Sequence, residues 1–231
     1  MPDALSRIKN QKNRTMSTCQ PFSIMRLTHE AIRAGLNHLE ELNANLSPAT
    51  APKLKAAFGE VKRVIELHAN QEDNAFYPPL EEKRPNVTHA FTEEHEAEHR
   101  AFDRLSRQME NLPEDGPGLT EIQASMDDWI KQHRAHLAHE EDILMNILPK
   151  TFTYVESVAV VRSILEYDLA EFEQFQLGWV FERLKGPQRK VYLGMLKGCS
   201  PKGKFPDLAA KVRPYLSPEE IHTLEQDKLL A

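Results

Sequence analysis

Apolar residues recur every three or four positions through most of the first 150 residues, the spacing of helices that bury one face. Strand signals are scarce, because no Asn-Gly or Asp-Gly turn separates runs of alternating polarity. Breaks rich in proline or glycine divide the pattern into four segments. The pattern therefore predicts four long helices, over residues 22–45, 52–77, 86–111 and 120–148.

Four long helices joined by short connections are typical of an all-α fold, an antiparallel up-down-up-down four-helix bundle. We assign this bundle to residues 21–150 and a flexible, slightly basic N-terminal arm to residues 1–20. Residues 151–231 are predicted to form additional C-terminal helices. This helical extension either packs on the bundle or forms a small appendage.

Capping residues predict where several helices begin. Thr120, followed by Gln123, is expected to cap the fourth helix of the bundle, and the Pro-Pro pair after Tyr77 is expected to end the second. In the extension, Thr153 and Ser217 are each followed three residues later by a glutamate, which is the pattern of a capping box.

Charge and composition exclude several classes of partner. The 231 residues carry a net charge of −6, and residues 21–150 hold 14 basic and 23 acidic side chains, so nucleic-acid binding is not expected. No apolar run is long enough to cross a membrane, and no secretory leader is apparent. The two cysteines lie far apart and form no disulfide framework, so a cytoplasmic location is expected.

Histidine is the unusual residue type, because nine of the ten histidines fall between His29 and His139. One phrase occurs twice: "HANQEDNAFYPPL" begins at His68, and "HLAHEEDILMNIL" begins at His136. Each histidine precedes a glutamate by four positions, so both side chains share a helix face. The pair "HEAEH" has the same spacing. Such pairs on facing helices can converge on metal ions inside a bundle.

Two helical hairpins with matching ligands predict a two-metal centre with approximate twofold symmetry. If the two carboxylates and one oxygen bridge two ions, each ion has three ligands from the bridges. Three of the five histidines then complete six-coordination of one ion. The other two leave the second ion with an open position for a small molecule such as O₂. Imidazole and carboxylate suit iron, manganese or zinc, so the spacing alone does not choose the metal. The predicted metal ligands are His29, His68, Glu72, His95, His99, His136 and Glu140.

These segments resemble the haemerythrin family, specifically the bacterial haemerythrin-like HHE cation-binding domains. The matching phrases are "THEAI", "HANQEDNAFYP", "EEHEAEHRAF" and "HLAHEEDILMNILP", and "FQLGWVFERLKGPQRK" resembles the helical tail of many such proteins. The resemblance implies two non-haem iron ions, in preference to manganese or zinc, and binding of or reaction with O₂, peroxide or nitric oxide. Within this pattern, Glu141 could replace Glu140 as the bridge, and one of His95 and His99 could lie outside the ligand set.

Three functions fit these features. The first is binding or sensing of O₂ or a related small oxidant, and the second is a di-iron oxidase, oxygenase, or peroxide- or NO-reactive enzyme. The third is a metal-stabilised interaction or signalling module that docks a protein partner or forms a homodimer. Outside the ligand set, we assign Glu93, Glu94, Glu96 and Asp142 to a solvated face, Phe76 and Tyr77 to core packing, and Cys199 to the surface.

Overall fold

The computed structural model describes residues 20–111 and 116–230. The predicted N-terminal arm lies outside these residues except for Gln20. Within the described ranges all regular secondary structure is helical, and the all-α bundle is confirmed. Its helices are α1 (Ser23–Ala44), α2 (Ala51–Gln71), a π-helical segment (Glu72–Phe76), α3 (Tyr77–Lys83), α4 (His89–Glu110) and α5 (Gly116–Thr151).

The second predicted helix does not end at the Pro-Pro pair. A π-helical segment follows α2, and directly after it the Tyr77 amide donates to the carbonyl of Glu72, five residues back. Pro78 and Pro79 then occupy the first turn of α3, where a missing amide proton costs little. The prediction was wrong because a widened turn lets the chain continue as a helix through a sequence that would break a regular one.

The fourth helix of the bundle is also longer than predicted. It begins at Gly116, so Thr120 lies inside α5, and it continues through Pro149 to Thr151. Leu119 is already buried, which shows that the core-facing stripe starts before the predicted cap. Pro149 lies close to the end of the helix, where the bond that it removes is one of the last.

The C-terminal extension forms shorter helices, as predicted. Both capping boxes are present: Thr153 accepts from the amide of Glu156, and Ser217 accepts from the amide of Glu220. The elements are α6 (Tyr154–Tyr167), α7 (Leu169–Glu171), a second π-helical segment (Phe172–Gln176), α8 (Leu177–Arg183), α9 (Gly186–Cys199), α10 (Phe205–Val212), a 3₁₀ turn (Arg213–Tyr215) and α11 (Pro218–Gln226).

The extension packs on the bundle rather than standing apart from it. Helix α6 lies against the first π-helical segment, and α8 and α9 lie against α1. A Cβ atom at Gly35 would stand 2.8 Å from the ring of Trp179, so glycine permits this close approach. Buried side chains of both parts form one hydrophobic core. Cys199 is part of that core, which corrects its assignment to the surface.

None of the helices in the described ranges is long and apolar enough to cross a membrane.

Candidate metal centre

Six of the seven predicted ligands meet in the middle of the bundle. Each of the four long segments of the bundle contributes at least one of these residues. In each segment, polar residues replace apolar ones in the core-facing stripe at the same height along the bundle. All six side chains are buried, and His29 and Glu140 have no exposed surface. The six are His29 on α1, His68 on α2, Glu72 at the start of the π-helical segment, His95 on α4, and His136 and Glu140 on α5.

The six residues form two groups that share both carboxylates. His29 and His68 complete the first group and His95 and His136 the second, and within each group the potential ligand atoms lie within 4.8 Å of one another. Glu140 Oε2 is 3.4 Å from His29 Nε2 and 3.5 Å from His136 Nε2. The arrangement therefore offers two neighbouring cation positions bridged by the two glutamates.

Glu72 spans the same two groups with separate oxygens. Its Oε1 is 3.4 Å from His68 Nε2, and its Oε2 is 3.6 Å from His95 Nε2. A carboxylate that offers one oxygen to each side is suited to bridging two ions. The phrase that begins at His68 and its counterpart at His136 thus supply the opposite sides of one centre.

Four polar atoms that face this centre lack a hydrogen-bond partner within the described part of the chain. Both oxygens of Glu72, Oε2 of Glu140 and Nε2 of His95 are buried without a hydrogen bond. The Nε2 atoms of His29 and His68 lie 3.0 Å apart and face each other. Unpaired buried polar groups are costly, and bound cations would satisfy all of these oxygen and nitrogen atoms at once. The residues therefore fit a bound metal.

His99 is not brought to the other six, because its side chain is exposed. The spacing of four residues from His95 places it about 40° further round the helix. The buried face of α4, however, lies on the other side of His95, where Glu98 and Phe102 point inward. Among the described residues the two groups therefore hold two histidines each, one fewer than the sequence predicts for one of the ions.

Glu140 and Glu141 have different positions. Glu140 lies in the centre, whereas Glu141 binds His29 Nδ1 at 3.0 Å and Arg33 at 2.8 Å. Burial opposes the charge of Glu141, but its hydrogen bonds with His29 and Arg33 lower the pKa of its carboxyl to about 2. Glu141 is therefore an anionic partner of a candidate ligand.

Residues 20–148 match the family described as the Hemerythrin HHE cation binding domain, more than half of the chain. The chain belongs to this family. It is also 21% identical, over 229 and 202 residues, to two zinc finger proteins named BRUTUS-like from Arabidopsis thaliana, and the alignments cover 89% and 80% of this chain. The chain spans only 18% and 16% of the length of those relatives. No solved structure matches it significantly.

In this haemerythrin domain, a carboxylate outside the centre holds the second nitrogen of three candidate ligands. His95 Nδ1 is 3.0 Å from Asp73, and His136 Nδ1 is 2.7 Å from Glu94. Together with the pair of His29 and Glu141, these contacts keep the proton on Nδ1 and leave Nε2 free to bind a cation. Glu94 also binds His139, and these contacts correct its assignment to a solvated face.

These outer carboxylates share a feature of the sequence. Asp73, Glu94 and Glu141 each lie next to a candidate ligand, and each binds a histidine on a different helix. An acid adjacent to a ligand was visible in the sequence as "ED", "EH" and "EE". Its partner was not visible, because that partner depends on how the helices pack.

Burial sets the electrostatics of the centre. Burial and the nearby charge of Glu140 raise the pKa of Glu72 well above its usual value. Burial and the neighbouring histidines lower the pKa of His68 well below its usual value. Without a cation, Glu72 and His68 thus both favour their neutral forms. Bound cations would compensate the negative charge of the two carboxylates.

Tyr77 has a polar role in addition to its packing. Its hydroxyl donates a hydrogen bond to Glu140 Oε1, and its ring stacks on His95 with centroids 5.8 Å apart. Burial and the charge of Glu72 raise the pKa of Tyr77 well above its usual value, so the proton stays on the phenol. Phe76 packs against Phe22 at 5.8 Å, as predicted for a core residue.

A buried pair, Glu98 and His133, lies one turn from the centre. Glu98 accepts a hydrogen bond from His133 Nδ1, and the His133 ring is 5.7 Å from that of His136. Burial opposes the charge of Glu98, but the charge of His133 lowers the pKa of Glu98. Neither residue belongs to the predicted ligand set. The remaining histidines His38, His89 and His222 are exposed.

Proposed function

We propose that this haemerythrin domain holds two non-haem iron ions and binds or senses O₂ or a related small oxidant, such as peroxide or nitric oxide. The observation that carries the proposal is the pair of buried groups that share Glu72 and Glu140. His29 and His68 would hold one ion, and His95 and His136 the other. Iron would supply a redox-active cation to which a small oxidant binds.

The chain's own residues prepare the centre for such a ligand. The outer carboxylates orient the imidazoles, and Tyr77 keeps a proton at Glu140 Oε1. Buried aromatic side chains, including Phe76 and Phe91, exclude bulk water from the centre. A dry, preoriented site favours reversible binding, because it protects a bound ligand from solvent and from unwanted proton transfer.

The test is the metal content of protein purified without added metal, together with its visible spectrum in air. We expect about two iron ions per chain and a ferric spectrum that changes on reduction and on return to O₂. The variant H95A should lose iron. H99A is the matched control on the same helix and should retain it. No iron, or a single zinc ion, in the unaltered protein would contradict the proposal.

A second candidate function is an enzyme, an oxidase or oxygenase that uses the same centre. A surface cleft of about 420 Å³ reaches His136, and its lining includes Glu94, Gln132 and His139. Organic substrates occupy clefts of this size. Repeated turnover of an organic reductant with O₂ or peroxide would favour the enzyme. A single binding event without turnover would favour the carrier or sensor.

The separation and small number of cysteines lead us to propose a cytoplasmic site of action. Fractionation of cells that express the tagged full-length chain tests this location, and recovery from an oxidising compartment would contradict it.

A further inference from the structure

A small cavity lies directly beside the first group of candidate ligands. Its volume is about 20 Å³, just enough for one water-sized molecule. On the bundle side it is lined by residues of α1 and by His68, Gln71 and Glu72. The Glu72 carboxylate at its wall has no hydrogen-bond partner among the described residues.

The opposite wall comes entirely from the C-terminal extension. Leu165 and Ile164 on α6 contribute to it, as do Phe172 and Gln176 in the second π-helical segment and Tyr192 on α9. All five side chains are buried. Without the extension, this side of the centre would therefore be open to solvent.

The two π-helical segments are joined across the cavity. Gln71 precedes the first segment and Gln176 ends the second, and their side-chain amides exchange two hydrogen bonds of 3.1 Å. Each amide thus satisfies the other, and neither is left as an unpaired group in the wall. The remaining surface from the extension is mainly apolar, so the polar end of any occupant would face His68 and Glu72.

We propose that the C-terminal extension builds the ligand cavity of the centre and limits its occupants to water-sized and diatomic molecules. Leu165 is the wall residue chosen for substitution, because it is 1% exposed and lies on the helix that packs against the π-helical segment containing Glu72. The inference rests on the proposed function for the identity of the metal. The cavity itself involves only side chains of this chain.

The first experiment fills the cavity with L165F and uses L208F as the control. Leu208 is a fully buried leucine of the extension that does not line the cavity, so both variants add the same volume to a core position. The full-length proteins are loaded with Fe(II), and nitric oxide is the probe. We expect L165F to bind nitric oxide at least about tenfold more weakly than L208F, because overpacking removes the space that the ligand needs. Equal affinities at equal iron content would overturn the proposal.

The second experiment needs no metal. In L165A the truncated side chain should enlarge the cavity enough to admit xenon, as apolar cavities in other proteins do. Crystals of metal-free L165A under xenon pressure should show xenon against Ile164 and Phe172, and crystals of L165F should not. Xenon bound only elsewhere in L165A would contradict the proposed wall.

The two experiments separate the inference from the proposed function. If the unaltered chain binds no iron but xenon enters L165A, the proposed function fails and the cavity stands. If iron binds and both phenylalanine variants behave alike, the proposed function stands and the role of the extension fails.

Discussion

At the scale of single residues, the centre depends on which atom of each imidazole carries the proton. His29, His95 and His136 all direct Nδ1 toward a carboxylate and Nε2 toward the shared glutamates. Removing an outer carboxylate should therefore weaken a cation site without touching a ligand.

The clearest case is D73N, which removes the charge beside His95 Nδ1. Burial opposes protonation of His95, yet the hydrogen bond and the charge of Asp73 raise the pKa of that histidine. We expect D73N to lower iron affinity about 10–100-fold, the usual cost of losing such a partner. Competition with a chelator measures the affinity. D142N, a change at an exposed acid of α5, is the control, and an equal loss in D142N would contradict the assignment.

At the scale of helices, two glycines provide a direct test of how the extension docks. A Cβ at Gly35 would stand 2.8 and 2.9 Å from ring atoms of Trp179, whereas a Cβ at Gly59 would meet no atom within 4 Å. We expect G35A to lower the free energy of unfolding by about 1–3 kcal/mol through overpacking. G59A should raise it by up to about 1 kcal/mol, because alanine favours the helix. Urea denaturation measures both, and stabilisation by G35A would contradict the close contact.

The start of α6 should give a pH-dependent contribution to stability. The Glu156 carboxylate binds Lys83 and the Thr153 backbone and hydroxyl, and these contacts lower its pKa from 4.5 to about 2. Since the folded-state pKa is depressed, the stabilisation is fully present above pH 4.5 and is lost as the pH falls toward 2. E156Q should therefore be less stable than the unaltered chain at neutral pH. The difference should shrink in acid, and a difference independent of pH would contradict this role.

Periodicity predicted the bundle helices, and capping chemistry predicted two of three caps correctly, since Thr120 lies inside α5. The bundle helices and the boxes at Thr153 and Ser217 follow from local rules. The π-helical segment at Glu72 does not, because a widened turn leaves no compositional mark in the sequence. His99 lies apart from the other six for a related reason: only the packed bundle shows on which side of His95 the buried face of α4 lies.

At the scale of the whole molecule, the site and the extension share one core. Trp129 packs against Phe58 and Phe102 in the bundle, and Trp179 packs against Gly35 from the extension. These are the only tryptophans of the chain, so each single-tryptophan variant reports on one part. A common core implies that the two parts lose their structure together.

We therefore expect W129F, which keeps only Trp179, and W179F, which keeps only Trp129, each to unfold in one transition. In each variant the fluorescence midpoint in urea should coincide with that of far-ultraviolet circular dichroism. The proposed iron ions would bind only within the bundle, yet by linkage they should also raise the midpoint reported by Trp179. If Trp179 instead showed a separate transition that iron did not shift, the extension would be an independent unit. The cavity beside Glu72 would then have a wall that opens without unfolding the bundle.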